Sequence, residues 1–444
     1  MALLQASPEV AFSTVEAAVV IVLCAFTALI SQMALAVFND GVRPFLLDFI
    51  RGKTSRGEMT SIAFGLSAGF IFGLGAPLFF STGILNPWLL FLPTDILGIL
   101  SPRRWIAPIL GAAWGALVIF ALGPLNTASK ALPVDFLGAL QNIAIPILYL
   151  FTLFPAIAVA SQFGRVRGAI AFFVTALALL LTVRFLPNIA FPGSIALVAG
   201  IAMLIVFALQ KDLADRRAQT PEEREAAKAA AANSLFVENA ERLRRNVLWF
   251  VALGALLALL VNLKIFGGGE ATSFIVQKEN YAAAAQLDFY RAFGFLPLIV
   301  TTALASGAYQ IVGLTFVYPL GYLSPNPIVA VIGGAILFGA EIYLLAYIGR
   351  GLSLLPSLRE SSDYIRNAIT NTLGVAILFG SILAGNAMAE GLGIALVGGL
   401  YALNEALNRP LVRLAAGPTA VIITGILLNV LFYLDLFTPP TGGG

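Results

Sequence analysis

Apolar runs of about 17 to 25 residues follow one another along almost the whole chain, and each is long enough to cross a bilayer as a helix. Of 444 residues, 59% are hydrophobic and only 11% charged, against about 25% charged in a soluble domain. Mean hydropathy is +0.93. Lipid offers no partner to a backbone N–H or C=O, so such a chain closes its hydrogen bonds within helices or a closed barrel. These runs are too long and too continuous for barrel strands. The sequence therefore predicts an all-α polytopic membrane protein of about 12 to 14 transmembrane or re-entrant helices.

The expected segments are 15–38, 59–82, 85–101, 105–123, 134–161, 168–186, 190–210, 246–263, 292–310, 312–324, 326–349, 367–388, 392–408 and 416–436. Two of them, 85–101 and 312–324, are short and carry Pro93 and Pro319, which reads as broken or re-entrant helices. Basic residues alternate onto one side: Arg43, Arg51, Lys53 and Arg56, then Arg103 and Arg104, then Arg165 and Arg167, then 211–245, with Arg350, Arg359, Arg409 and Arg413 in the second half. The positive-inside rule makes that side cytoplasmic and the N-terminus external, although Lys130 and Arg184 fall opposite. The first run is too long, and lacks the basic flank, for a cleavable signal peptide.

Gly98-Ile-Leu-Ser-Pro102 recurs as Gly321-Tyr-Leu-Ser-Pro325, each preceding a long apolar run, and Ala63-Phe-Gly65 recurs as Ala292-Phe-Gly294. Loop charge puts the two Ser-Pro copies on opposite faces, which predicts two inverted-topology repeats and an elevator-like transporter architecture. The expected organisation is an N-terminal repeat at 1–210, a cytoplasmic charged helical linker at 211–245, a C-terminal inverted repeat at 246–437 and a disordered tail at 438–444. The linker carries eight Lys/Arg and seven Asp/Glu, a mixture suited to a solvated helix, with docking of a soluble partner as the rival reading. The external stretch 267–291 reads as a loop with a short helix and a lid role.

Polar groups at membrane depth are the candidate sites. Leu92-Pro-Thr-Asp95-Ile-Leu-Gly98 and Leu132-Pro-Val-Asp135-Phe-Leu-Gly138 each set a carboxylate between a proline and a glycine. Asp95 and Asp135 are either ligands for a cation, proton or solute hydroxyl, or N-caps of the following helix; the two roles are compatible. Asn39 and Arg43 end the first span, where Arg43 either binds an anion or pairs with Asp40 as a cytoplasmic anchor. Asn367 and Asn371, one turn apart, present two amides suited to a polyhydroxylated or zwitterionic solute, with helix–helix hydrogen bonding as the alternative. Gln141 and Asn142 stand in the matching place of the first half. Glu341 lies deep in an apolar run and is a candidate for proton exchange. Asn326, between two prolines, marks a non-helical cavity-lining loop, and Glu405 with Arg409 reads as a structural i,i+4 salt bridge.

The absence of histidine and the single Cys24, inside a span, argue against His or Cys metal sites, disulfides and His-based catalysis; an enzyme and a cofactor are not expected. A net charge of +3 without a basic patch argues against nucleic acid. The expected function is secondary active transport of a small polar solute, with H+ or Na+ as coupling ion, by a homodimer embedded in lipid.

Phe38–Pro44, Leu90–Gly98, Leu132–Gly138, Thr315–Pro327, Ile365-Arg-Asn-Ala368 and Thr424–Leu431 resemble the YhfT family of bacterial inner-membrane proteins over nearly the whole chain. The resemblance implies a transporter in the inner membrane. The family's genomic setting, of metabolic enzymes and a small phosphotransferase-like protein, implies an alternative. That alternative is a permease similar to the membrane subunit of a sugar phosphotransferase system, working with separate soluble partners; with no histidine here, any phosphoryl donor would be a separate protein.

Overall fold

The computed structural model describes residues 11–440 apart from 43–44, 46–47, 50–51, 233–234 and 353. The first half comprises α1 (Thr14–Gln32), α2 (Arg56–Thr82), α3 (Pro87–Leu100), α4 (Ile106–Lys130), α5 (Phe136–Phe163), α6 (Arg165–Phe185) and α7 (Pro192–Ala218). Next come α8 (Pro221–Ala232) and α9 (Leu235–Arg245). The second half holds α10 (Val247–Asn262), α11 (Glu270–Gln277), α12 (Tyr281–Gly294), α13 (Leu296–Ser306), α14 (Ile311–Leu323), α15 (Pro327–Leu352), α16 (Pro356–Met388), α17 (Leu392–Ala406) and α18 (Arg413–Tyr433).

Among the described residues, nine of these helices are long and apolar enough to cross a membrane. The bent pairs α9–α10 (67°) and α12–α13 (59°) raise the number to eleven, and α3, α14 and α17 are shorter apolar helices. The chain is a polytopic helical membrane protein. Its lipid-facing surface is evident on α6, where Val166, Phe173 and Leu180 are all exposed.

Two groups of helices pack among themselves. One contains α1, α3, α4, α10, α14 and α15; the other contains α5, α6, α7, α16, α17 and α18; α2 and the α12–α13 pair lie between them. Glycines let the first group approach closely: a Cβ on Gly98 would come within 2.4 Å of the Ala28 carbonyl, and one on Gly111 within 2.2 Å of the Cys24 carbonyl.

The interruptions of α2 and α3 are answered by side-chain donors. Pro93 has no N–H, so the Leu89 carbonyl one turn earlier loses its helical partner; the indole Nε1 of Trp114 donates to it at 3.0 Å. A π turn at Ile71–Gly75 disturbs the ladder of α2, and Asn86 Nδ2 donates to the Gly75 carbonyl at 2.8 Å. Through Oδ1 the same Asn86 caps α3 by accepting from Leu89 N. At the far end of α3, Arg56 Nη1 donates to the Ile99 carbonyl at 2.6 Å.

Both α2 and α13 end on a glycine in the left-handed region, Gly83 (φ 69°) and Gly307 (φ 65°). The chain then runs extended into the short helices α3 and α14. Two isolated parallel bridges join these extended residues to the segments after α1 and α10: Ala36 pairs with Tyr309, and Leu85 with Phe266.

The charged stretch 211–245 is not uniformly solvated. Residues 221–226 of α8 are exposed, but α9 buries Phe236, Asn239, Ala240 and Leu243. Asn239 Nδ2 donates to Leu304 O and Arg242 Nη2 to Ala34 O, both at 2.9 Å, so α9 satisfies carbonyls where helices of both halves end. Its apolar residues recur at helical spacing between charges, and a packed amphipathic helix follows.

Replacing Trp114 with Phe retains the ring and removes the donor to Leu89. A loss of about 1–3 kcal/mol in stability is expected, read as an earlier unfolding transition of the purified protein in detergent; an unchanged transition would contradict this role.

Candidate functional site

A cavity of about 420 Å³ lies between the two packing groups. Phe38, Trp88, Leu92, Phe151, Phe295 and Ile311 give it largely apolar walls. Its rim includes Tyr401 and Arg413, whose side chain is half-exposed. Its inner end is Gly268, Glu270, Arg291 and Tyr318.

The inner end is built on the break after α10. A Cβ on Gly269 would collide with the Arg291 guanidinium, and one on Gly268 would meet Tyr318 and Asp288. Paired glycines therefore let arginine lie directly on the backbone, where its Nη2 donates to the Gly268 carbonyl. Asp288 Oδ1 lies 3.2 Å from Arg291 Nη2 and accepts from Thr272 Oγ1 at 2.6 Å. Glu270 Oε2 is 4.0 Å from Arg291 Nη1. Asp288 Oδ2, Arg291 Nε and the Tyr318 hydroxyl are buried without a hydrogen-bond partner, so this polar cluster is incompletely satisfied within the protein.

The candidates from the sequence separate into distinct environments. Asp95 is fully buried inside α3 and is not an N-cap. Its carboxylate accepts from Ser31 Oγ at 2.6 Å, Phe38 N at 2.5 Å and Asn39 N at 2.9 Å. It stands behind the cavity and holds the Phe38–Asn39 segment that lines it. Asn39 in turn donates to Ser67 Oγ and accepts from Gly41 N. Asp135 caps the start of α5, accepting from Gly138 N at 2.9 Å and Ser129 Oγ at 2.5 Å, away from the cavity lining.

Asn142 bonds the nearby Ala139 carbonyl. Asn326 is exposed and caps α15 through Val329 N. Asn371 lines the cavity on the face of α16 that carries Arg366, Thr370 and Gly374, whereas Asn367 lies off that face and is exposed. Glu341 accepts from the Tyr309 hydroxyl, and its Oε2 is buried without a partner, apart from the cavity lining. Arg43 lies outside the described residues. Glu405 pairs with Arg409 at 2.8 Å and also with Arg413 at 3.2 Å.

Sequence reading did not single out Glu270, Asp288, Arg291, Tyr318 or Arg366. The stretch containing the first three reads as an external loop; in the structure Glu270, Thr272, Ser273 and Asp288 are buried. The available signal was Gly267-Gly-Gly-Glu270 directly after an apolar run, followed by Asp288 and Arg291 at i,i+3 spacing.

A family model described as YhfT, protein of unknown function, matches residues 16–437. The uncharacterized protein YhfT of Escherichia coli (strain K12) is 43% identical over 437 residues, covering 96% of this chain and 99% of the relative. No solved structure matches the chain.

The two aspartates predict different stability losses. Asp95→Ala strands two buried backbone N–H groups and is expected to cost about 3 kcal/mol, whereas Asp135→Ala removes a cap worth about 1 kcal/mol. Thermal unfolding of the two purified variants checks the order, and equal losses would contradict it.

Proposed function

The chain belongs to the YhfT family, and we propose that it is a secondary active transporter, moving a small polar solute across the bacterial inner membrane by alternating access. The observation that carries this reading is a solute-sized cavity inside a membrane bundle that ends on charged side chains beside two interrupted helices. Charged groups at that depth are costly and are retained where they bind or move something.

An inverted repeat is supported by the element order. In each half a long helix is followed by an extended stretch, a helix ending on a left-handed glycine, a short helix ending at Ser-Pro, and a second long helix. The bridges are reciprocal: the segment after α1 pairs with that before α14, and the segment after α10 pairs with that before α3. Two halves related by a two-fold axis produce such an exchange. The position of the cavity between two separately packed groups of helices supports an elevator-like movement of one group past the other.

Asn39 and Asn371, with Arg366 and Thr370, supply solute contacts in this reading, and Asp95 acts by positioning Asn39. The Glu341–Tyr309 pair is a second buried protonatable site, beside one of the two bridges.

Gly374 lines the cavity, and a Cβ there meets nothing nearer than Leu414 Cδ2 at 4.0 Å. Gly374→Phe is therefore expected to fill the cavity while the protein still folds. Uptake of labelled amino acids, sugars and organic acids into proteoliposomes under a proton or sodium gradient identifies the solute, and Gly374→Phe should reduce that uptake about tenfold or more. Concentrative uptake of none of these solutes under either gradient would overturn the reading.

A further inference from the structure

Glu270 and Arg291 line two cavities, not one. Behind the large cavity lies a second of about 30 Å³, walled by Leu148, Thr152, Phe191, Gly193 and Ser194. Phe151, Glu270 and Arg291 are common to both linings and form the partition between them. The small cavity lies beside the α6–α7 connection, while the rim of the large one, at Val412 and Arg413, lies beside the α17–α18 connection. These connections hold the same place in the order of the two halves, and the topology read from loop charge sets them on opposite membrane faces. One is wide and the other nearly collapsed, as expected of two alternative openings onto one site.

Charge along this path is uneven. Arg413 is matched by Glu405 at 3.2 Å, Arg366 by Asp363 at 3.1 Å and Arg291 by Asp288 at 3.2 Å. Glu270 is left with its nearest described cation shared and 4.0 Å away. Two carboxylates against one guanidinium leave a net negative charge buried in the partition, and a bound proton removes it. Asp288 and Arg291 on α12, with Tyr318 and Tyr322 on α14, are the titratable groups around the cluster, whereas α5 and α7 present Leu148, Thr152 and Ser194.

We propose that Glu270 carries the coupling proton of this transporter, and that its protonation releases the Glu270–Arg291 contact and opens the partition between the two cavities. The carboxylate takes the proton from water on one side and returns it on the other, Arg291 remaining paired with Asp288 throughout. This inference rests on the transport reading above.

The test uses cysteine accessibility, because Cys24 is the single native cysteine and is buried. In a Cys24→Ser protein, Asn371→Cys places a thiol in the large cavity. A membrane-impermeant thiol reagent is then applied to each face of vesicles of defined orientation. With native Glu270 at alkaline pH, labelling is expected from one face. Glu270→Gln should raise labelling from the other face about tenfold.

Acid pH on the native protein should do the same without that substitution, read as the ratio of labelling from the two faces, which cancels the thiol's own ionisation. A ratio unmoved by both changes overturns the role of Glu270 while one-sided labelling leaves the transport reading standing. Absence of labelling from either face overturns both.

Discussion

Four backbone hydrogen bonds tie the extended segments of one half to those of the other. Val37 N donates to Tyr309 O at 2.9 Å and Tyr309 N to Leu35 O at 2.8 Å; Leu85 N donates to Ile265 O at 2.9 Å and Gly267 N to Leu85 O at 2.8 Å. A chain that leaves the helical conformation within an apolar bundle must find partners for the groups it frees. Here the partner of each break is a segment of the other half. Neither half can close its own backbone ladder alone, and the cavity lies where these breaks converge. Side chains complete the arrangement at its edges, with Trp114 on Leu89, Asn86 on Gly75, and Asn262 on the Gly321 and Ser324 carbonyls at the end of α14.

Those dependencies explain what was legible in the sequence. Hydropathy alone locates the long apolar helices, and Pro93 and Pro319 in short runs mark α3 and α14 as interrupted elements, because length and proline chemistry are local properties. Asp95 is equally legible as a buried acid. Its partners are not, since Ser31 and the 38–39 backbone meet it only after α1 and α3 pack together. The amides of α16 illustrate the same limit: Asn367 and Asn371 are one turn apart, yet the cavity follows Arg366, Thr370 and Gly374, and the tilt of a helical face by one residue decides which amide lines it.

The charged cluster at Glu270, Asp288 and Arg291 escapes hydropathy for a different reason. Averaging over a window reports charges as solvent-seeking, and 267–291 accordingly reads as a loop. Charges that pair with one another and rest on bare glycine backbone can be buried instead. The same holds for α9, whose Arg244 and Arg245 are exposed while Phe236 and Leu243 hold the opposite face in the bundle. In both segments spacing carries the information that composition hides: three consecutive glycines before an acid, and apolar residues at helical intervals among bases.

The two halves meet the same backbone problem with different chemistry. After α1 the break presents N–H groups, and the Asp95 carboxyl accepts them, with three donors in all. After α10 the break presents the Gly268 carbonyl to Arg291 and the Gly268 N–H to the Tyr322 hydroxyl at 3.1 Å. Tyr318 stands on α14 at the place corresponding to Asp95, so the acids of this half come from α11 and α12. A carboxyl held by three donors cannot move without losing the structure it holds. Glu270, whose contact with Arg291 spans 4.0 Å, has more freedom. Under the proposed mechanism the first half supplies the rigid frame of the site, and the second supplies the charge that changes.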